Sequence, residues 1–153
     1  MKRSEVVLMF VLCCIAAVSA SFAYSRPDYT PSASSSEIRC DSSVVVNQAS
    51  AATTQLVALT AGKKIYVCSA LINQVGAATP PTFKFVYGTG TNCGTGTTDL
   101  TGVITGGAAS TASNVQFGGN GLGYVFSTAS SSALCITTTT TQAQKGLVSY
   151  TVQ

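Results

Sequence analysis

The sequence contains no histidine, and this absence limits the chemistry that its side chains can perform. A Ser-His-Asp or Cys-His relay needs an imidazole as its general base, and histidine-ligated metal sites and pH switches need the same ring. Charged residues make up only 8% of the chain, against about a quarter of a typical soluble domain. The polar surface must therefore consist mainly of hydroxyl and amide groups.

Two carboxylates, Asp41 and Asp99, are the candidates for an acid and base pair of the glycosidase type. Asp41 directly follows Cys40, where it is expected to cap a strand end, and Asp99 ends a segment rich in Gly and Thr, where it is expected to order the loop. A serine–lysine dyad is allowed by composition, but no spacing singles one out. We therefore predict no enzyme activity, no catalytic residue, no cofactor and no metal site.

The first 23 residues have the pattern of a secretory signal peptide. Lys2 and Arg3 precede an apolar run of about 12 residues, and small residues follow it, with Ala23 preferred over Ala20 as the last residue removed. The run is too short for a membrane anchor, which needs roughly 20 apolar residues. We expect a secreted protein, located in the periplasm, at the cell surface or outside the cell, with no membrane contact after cleavage.

Residues 24–37 are rich in Ser and Pro and are predicted to form a flexible leader before a single domain at 38–153. The chain after the signal peptide has six basic and four acidic residues, a net charge of +2. So small and scattered a charge argues against nucleic acid as a partner.

Four cysteines remain after the signal peptide, and in an exported chain they favour two disulfides over a metal site. They are Cys40, Cys68, Cys93 and Cys135. Zinc sites usually have closely spaced pairs of ligands, which are absent from this set. Three pairings are open. The one that closes the shortest successive loops, Cys40–Cys68 with Cys93–Cys135, is favoured, since Cys93 would then pin a Gly-Thr loop to the strand carrying Cys135.

The domain reads as all-β, a single antiparallel β-sandwich of the jelly-roll or immunoglobulin-like type, with about eight or nine short strands. Strands are predicted at Val44–Val46, Leu56–Leu59, Lys63–Asn73, Thr82–Tyr87, Leu100–Thr105, Asn114–Phe117, Leu122–Ser127, Ala133–Thr140 and Gly146–Val152. Apolar residues on both faces of Lys63–Asn73 predict a central strand covered on both sides. Gly88–Thr98 is predicted to be a long loop. The C-terminal strand either closes the domain's own sheet, which we favour, or offers an edge to a partner.

Three tyrosines in predicted strands, Tyr66, Tyr87 and Tyr124, could supply aromatic platforms for a glycan. Against this, the chain has no Trp, and a tyrosine in a strand usually has a cross-strand or core role. Carbohydrate binding is therefore the alternative to the leading hypothesis, which is a structural or adhesive surface module whose partner is itself, as a homo-oligomer, or another surface protein.

Three segments resemble small β-rich virion structural or decoration-like proteins of environmental phages. They are Ile65-Tyr66-Val67-Cys68, Val86-Tyr87-Gly88-Thr89-Gly90-Thr91-Asn92-Cys93 and Ala133-Leu134-Cys135-Ile136. The resemblance implies a non-enzymatic β-sandwich that forms oligomers on a particle surface, and it carries over no catalytic residue. The export signal departs from that pattern, since virion proteins assemble in the cytosol, and it favours a related domain that acts outside the cell.

Overall fold

The computed structural model describes residues 38–75, 79–107, 111–118, 123–139 and 143–153, and this part of the chain is all-β. The predicted signal peptide and leader lie outside these residues, and the described strands belong to one compact unit, Ser36–Gln153. The strands are β1 (Ser42–Gln48), β2 (Ala52–Val57), β3 (Ile65–Val75), β4 (Thr82–Thr89), β5 (Thr95–Asp99), β6 (Ile104–Thr105), β7 (Ala112–Gly118), β8 (Phe126–Ser127), β9 (Ala133–Thr138) and β10 (Gln144–Val152). None of the described residues forms a helix able to span a bilayer.

The strands form two five-stranded antiparallel sheets that make a β-sandwich, as predicted. Sheet A has the order β1-β10-β3-β7, with β8 also beside β3, and sheet B has the order β2-β9-β4-β5, with β6 also beside β4. Successive strands thus alternate between the sheets at both ends of the chain. This is the order of a jelly roll and not that of an immunoglobulin domain, in which strands A and B lie in the same sheet as E and D.

The core is the layer of side chains between the two sheets. Its buried members are Val46, Val57, Ile65, Val67, Ala70, Ile72, Phe83, Phe85, Leu134, Ile136 and Val148. Phe85 lies at the centre of an aromatic group, with its ring 5.8 Å from that of Phe83, 6.0 Å from Phe117 and 5.4 Å from Phe126. Since Phe83 and Phe85 are on sheet B and Phe117 and Phe126 on sheet A, these rings join the sheets.

Buried glutamines close one end of this layer. Gln48, Gln144 and Gln74 are in register across β1, β10 and β3, and each is at most 5% exposed. The Nε2 atom of Gln144 donates to the carbonyl of Thr82 in sheet B at 3.1 Å. This hydrogen bond links the sheets where the apolar layer ends, and it offsets part of the cost of burying an amide.

Strand β3 is central, as predicted, but the prediction that both of its faces are covered is wrong. Ser149 pairs with Ser69 and Tyr150 pairs with Val67, so Cys68 is an extra residue in a β-bulge. Before the bulge the odd-numbered residues Ile65 and Val67 point into the core, and after it the even-numbered residues Ala70, Ile72 and Gln74 do so. Leu71 points outward and is 43% exposed.

The Gly-Thr segment is not the long loop that its composition suggests. After a 3₁₀ turn at Thr91–Cys93, Thr95–Asp99 returns as β5 beside β4. The reversal uses positive φ angles at Gly90 (72°), Asn92 (51°) and Cys93 (58°), a region that Gly and Asn tolerate better than other residues do. Thr suits a pleated strand, and here its strand tendency outweighs the loop signal of the flanking glycines.

Other predicted strand boundaries needed correction as well. The second strand begins earlier than expected, at Ala52, and ends at Val57. Only Ile104–Thr105 of the predicted strand at Leu100–Thr105 pairs with β4. Of the predicted strand at Leu122–Ser127, Leu122 lies outside the described residues, and only Phe126–Ser127 of the remainder pairs with β3. Leu100 packs against the core from the bend that follows β5, and Phe126 packs against it from β8.

The C-terminal strand closes the domain's own sheet. Strand β10 pairs with β1 on one side and with β3 on the other, so its backbone is not an edge for a partner. In the strand orders given above, the edge strands are β1 and β7 in sheet A and β2 and β5 in sheet B.

Two disulfides link Cys40 to Cys68 and Cys93 to Cys135, the pairing that loop length favours. The first joins the residues before β1 to the bulge of β3. The second joins the 3₁₀ turn to β9 on the outer side of sheet B, where Val86, Cys93, Ala133 and Cys135 form a second, smaller buried cluster. The turn thus covers part of that sheet.

We predict that replacing Cys93 and Cys135 together by Ala lowers the free energy of unfolding by about 2–4 kcal/mol, because the unfolded chain regains the entropy of a loop. Denaturant unfolding measures this loss. Amide exchange should also accelerate in residues 91–99 in this variant, but not in a Cys40→Ala/Cys68→Ala control. Unchanged exchange in residues 91–99 would show that the disulfide does not hold the turn on the sheet.

Candidate functional site

The two carboxylates considered for catalysis are not brought together on one sheet. Asp41 precedes β1 of sheet A and accepts a hydrogen bond from the Ser42 hydroxyl at 3.0 Å. Asp99 ends β5 of sheet B, where its carboxylate is 2.7 Å from the ammonium group of Lys84. The Lys84 side chain is 28% exposed and that of Asp99 is 54% exposed, and ion pairs so accessible to water contribute little to stability. Each carboxylate thus has a local structural contact.

The described residues contain no group of three or more His, Cys, Asp or Glu side chains that could hold a metal ion. The four cysteines of the domain are consumed in the two disulfides.

The three candidate tyrosines lie in two places. The Tyr66 and Tyr124 rings are in contact on sheet A, with their centroids 5.0 Å apart and an edge-to-face angle of 74°. Tyr124 is 51% exposed. Tyr87 belongs to β4 of sheet B and is not part of this pair. The structure therefore leaves a two-ring platform, Tyr66 and Tyr124, in place of a surface made by all three.

A larger candidate surface is the outer face of sheet A, where antiparallel register aligns side chains in rows. We name three rows on β1, β10 and β3. The serine row is Ser43, Ser149 and Ser69; the apolar row is Val45, Leu147 and Leu71; the amide row is Asn47, Lys145 and Asn73. Strand β7 continues them with Gly118, Gln116 and Asn114, respectively.

The apolar row is open to solvent across three adjacent strands. Val45 is 68% exposed, Leu147 is 45% exposed and Leu71 is 43% exposed. Beside it, a shallow depression of about 260 Å³ is lined by Ser69, Ala70, Leu71, Gln116, Leu147 and Ser149. Single exposed apolar residues need no explanation, whereas a contiguous row of them is a candidate contact surface.

The outer face of sheet B, unlike that of sheet A, has its apolar side chains covered. There the corresponding apolar side chains, Val86 and Cys135, are fully buried because the disulfide-bonded turn at Thr91–Cys93 covers them. The side chain of Asn92 in this turn also accepts a hydrogen bond from the backbone of Gln55 on the edge strand β2, at 3.1 Å. Among the described segments, sheet A has no equivalent cover over its apolar row, so this row is the open counterpart of a buried one.

The charge of the outer face of sheet A is low. Lys145 is the only ionisable side chain in the three rows, and the remainder are hydroxyls, amides and aliphatic groups. A contact on this surface would bury apolar and hydrogen-bonding groups and few ions.

Sequence reasoning did not single out the apolar row. The signal was present, because each of the three strands has apolar residues at consecutive positions, as in Val44-Val45-Val46 and Leu147-Val148. With period-two alternation, one member of each consecutive pair must face outward. Which strands are neighbours, and hence that these residues form one row, follows only from the sheet order.

No protein-family model, curated protein or solved structure matches this chain.

Val45 and Val46 provide a matched test of which face of sheet A is open. We predict that Val45→Thr changes the free energy of unfolding by less than about 0.5 kcal/mol, since this side chain is already in water. Val46→Thr, an equally small change at a fully buried position, should cost about 1–3 kcal/mol because it buries a hydroxyl without a partner. Denaturant unfolding of dilute protein measures both. Equal losses would contradict the assignment of the faces.

Proposed function

We propose that this protein is an exported, non-catalytic structural module that associates with copies of itself through the outer face of sheet A. The observation that carries the proposal is the apolar row of Val45, Leu147 and Leu71, which is in register and exposed. A hydrophobic contact is favourable in proportion to the apolar area that leaves water. Two copies of this face each have apolar area to bury.

The absence of a catalytic role is supported by the contacts of the candidate acids. Asp41 and Asp99 lie on different sheets and have local partners. The export proposal is supported by the N-terminal pattern and by the two disulfides, which are typical of oxidising compartments. Together they favour a module that acts by contact, at a cell surface or outside the cell.

The resemblance to phage virion proteins supports this proposal at the level of the fold. The three similar segments include residues of β3, β4 and β9 and three of the four disulfide cysteines. The resemblance therefore concerns the strands and disulfides of the sandwich and not its outer surface. Jelly rolls occur in both capsid and lectin domains. The analogy therefore favours a display or assembly role without specifying the particle or surface, because fold alone does not determine function.

We predict that the wild-type domain self-associates and that Leu147→Lys weakens this association more than about tenfold, since it places a charge where apolar area should be buried. Sedimentation from about 1 µM to about 1 mM covers the range expected for a small interface. Gln55→Lys is the matched control, because Gln55 is an exposed strand residue of sheet B and the same charge there should have no effect.

Two results would contradict the proposal. A wild-type protein that stays monomeric over the whole concentration range does not self-associate as a free module. If Leu147→Lys and Gln55→Lys associate as the wild type does, the contact uses another surface. Circular dichroism and unfolding of each variant establish that the fold is retained.

A second candidate function, carbohydrate binding, is favoured by the contact between Tyr66 and Tyr124. Their edge-to-face arrangement leaves Tyr124 half exposed, and an exposed aromatic ring can pack against the apolar face of a sugar. Serine and threonine hydroxyls on neighbouring strands would supply hydrogen-bond groups.

If this second function operates, glycan-array binding should be lost in Tyr124→Ala and retained in Tyr87→Ala, because Tyr87 lies on the other sheet. Retention of binding in Tyr124→Ala, or an equal loss in both variants, would contradict a site at the Tyr66–Tyr124 pair. A wild-type protein that binds no glycan on the array would remove the support for this function.

A further inference from the structure

We propose that two copies associate through the outer faces of their A sheets and are related by a two-fold axis. The axis lies midway between the two facing A sheets, runs along the apolar row and is perpendicular to the strands. This inference rests on the proposed self-association and adds the symmetry and residue pairing of the contact. Two-fold dimers are the commonest homo-oligomers, and their interfaces are self-complementary. The three rows determine which two-fold arrangement is self-complementary here.

Rotation about this axis keeps each position along the row and reverses the strand direction. Val45, Leu147 and Leu71 therefore each lie opposite the same residue of the second copy. The serine row of one copy lies opposite the amide row of the other, because these rows flank the apolar row on opposite sides. Each contact occurs twice.

The polar pairs that result are chemically matched. Ser149 of one copy faces Lys145 of the other, so the ammonium group can donate to a hydroxyl oxygen. Ser43 faces Asn47, and Ser69 faces Asn73, which pairs hydroxyls with amides that both donate and accept. Polar groups at the rim of the contact thus meet groups that can satisfy them.

A two-fold axis parallel to the strands is less favourable. It places each amide row against its own copy, so that the two Lys145 ammonium groups lie in the same row at close range. Like charges at short distance repel one another. It also cannot match all three apolar residues with themselves, since an axis above β10 places Val45 opposite Leu71.

The size of the surface predicts a weak dimer. Three rows on four strands cover about 20 Å by about 20 Å, or about 400 Å² per copy. A total near 800 Å² is below the range of stable complexes, so the dissociation constant should lie between micromolar and millimolar. Modules held at high local density on a surface would associate far more completely than free ones, because tethering raises the effective concentration.

Chemical crosslinking of single-cysteine variants tests the pairing in the full exported chain. Stacked sheets are separated by ~10 Å, which exceeds the reach of a disulfide, so a short bismaleimide is the probe. Val45→Cys and Leu71→Cys should each give crosslinked dimer. A mixture of these two variants should give no dimer joining position 45 to position 71, because two strand spacings separate them laterally.

The polar rows provide the second half of the test. Lys145→Cys alone and Ser149→Cys alone should not crosslink, whereas an equimolar mixture of the two should. Gln55→Cys on sheet B controls for random collision and should stay monomeric. A peptide map without reduction verifies in each variant that Cys40–Cys68 and Cys93–Cys135 are intact.

The outcomes separate this inference from the proposal on which it rests. If the wild type does not sediment as a dimer at any concentration, both fail. If it associates but Lys145→Cys crosslinks with itself, or only one of Val45→Cys and Leu71→Cys does, self-association stands and this symmetry is wrong. Crosslinking of Val45→Cys alone would indicate pairing between two β1 edges, since Leu71 lies on an interior strand. Crosslinking in all the predicted combinations, and in none of the others, supports the arrangement.

Discussion

The burial of one apolar layer between two sheets is the constraint on which the rest of this structure depends. Phe85 packs on Phe83 within its own sheet and against Phe117 and Phe126 of the other. This layer determines the inward face of every main strand and therefore also the outward one. The bulge at Cys68 is the place where one strand changes phase to keep its apolar residues in the layer.

The scarcity of charge explains how the layer is secured. Only 8% of the residues are charged, and ion pairs accessible to water, such as Lys84–Asp99, contribute little to stability. Disulfides and hydrogen bonds from hydroxyl and amide groups therefore stabilise the fold more than ion pairs do. One disulfide attaches the chain before β1 to the bulge of β3, and the other attaches a turn to β9. The turn held by the second disulfide also covers apolar residues on the outer face of sheet B, whereas the apolar row on the outer face of sheet A is exposed.

The same low charge bears on function. A surface with apolar, hydroxyl and amide rows and one lysine can be brought against a copy of itself without burying many ions, which would be costly. The proposed symmetry depends on the same distribution of charge. Of the two axes compared, only the one along the apolar row keeps the two Lys145 side chains apart and places each of the three apolar residues opposite its own copy. A small contact of this kind suits modules that are displayed close together.

Composition and pattern were sufficient to predict the β-sandwich, its approximate strands and the favoured disulfide pairing, because strand periodicity, turn residues and the lengths of the disulfide loops can all be read along the chain. Local pattern failed where a long-range contact contributed to the outcome. Thr95–Asp99 is a strand because its threonines suit a strand and β4 is available to pair with it. Cys68 is the extra residue of a bulge because the residues on either side of it both pair with β10. Tyr66 and Tyr124 are distant in sequence, so only the fold could show that they meet while Tyr87 lies on another sheet. The sequence by itself determined what kinds of side chain the surface has. The tertiary structure alone decided that Val45, Leu147 and Leu71 form one row, since strand order depends on how the whole chain buries its apolar residues.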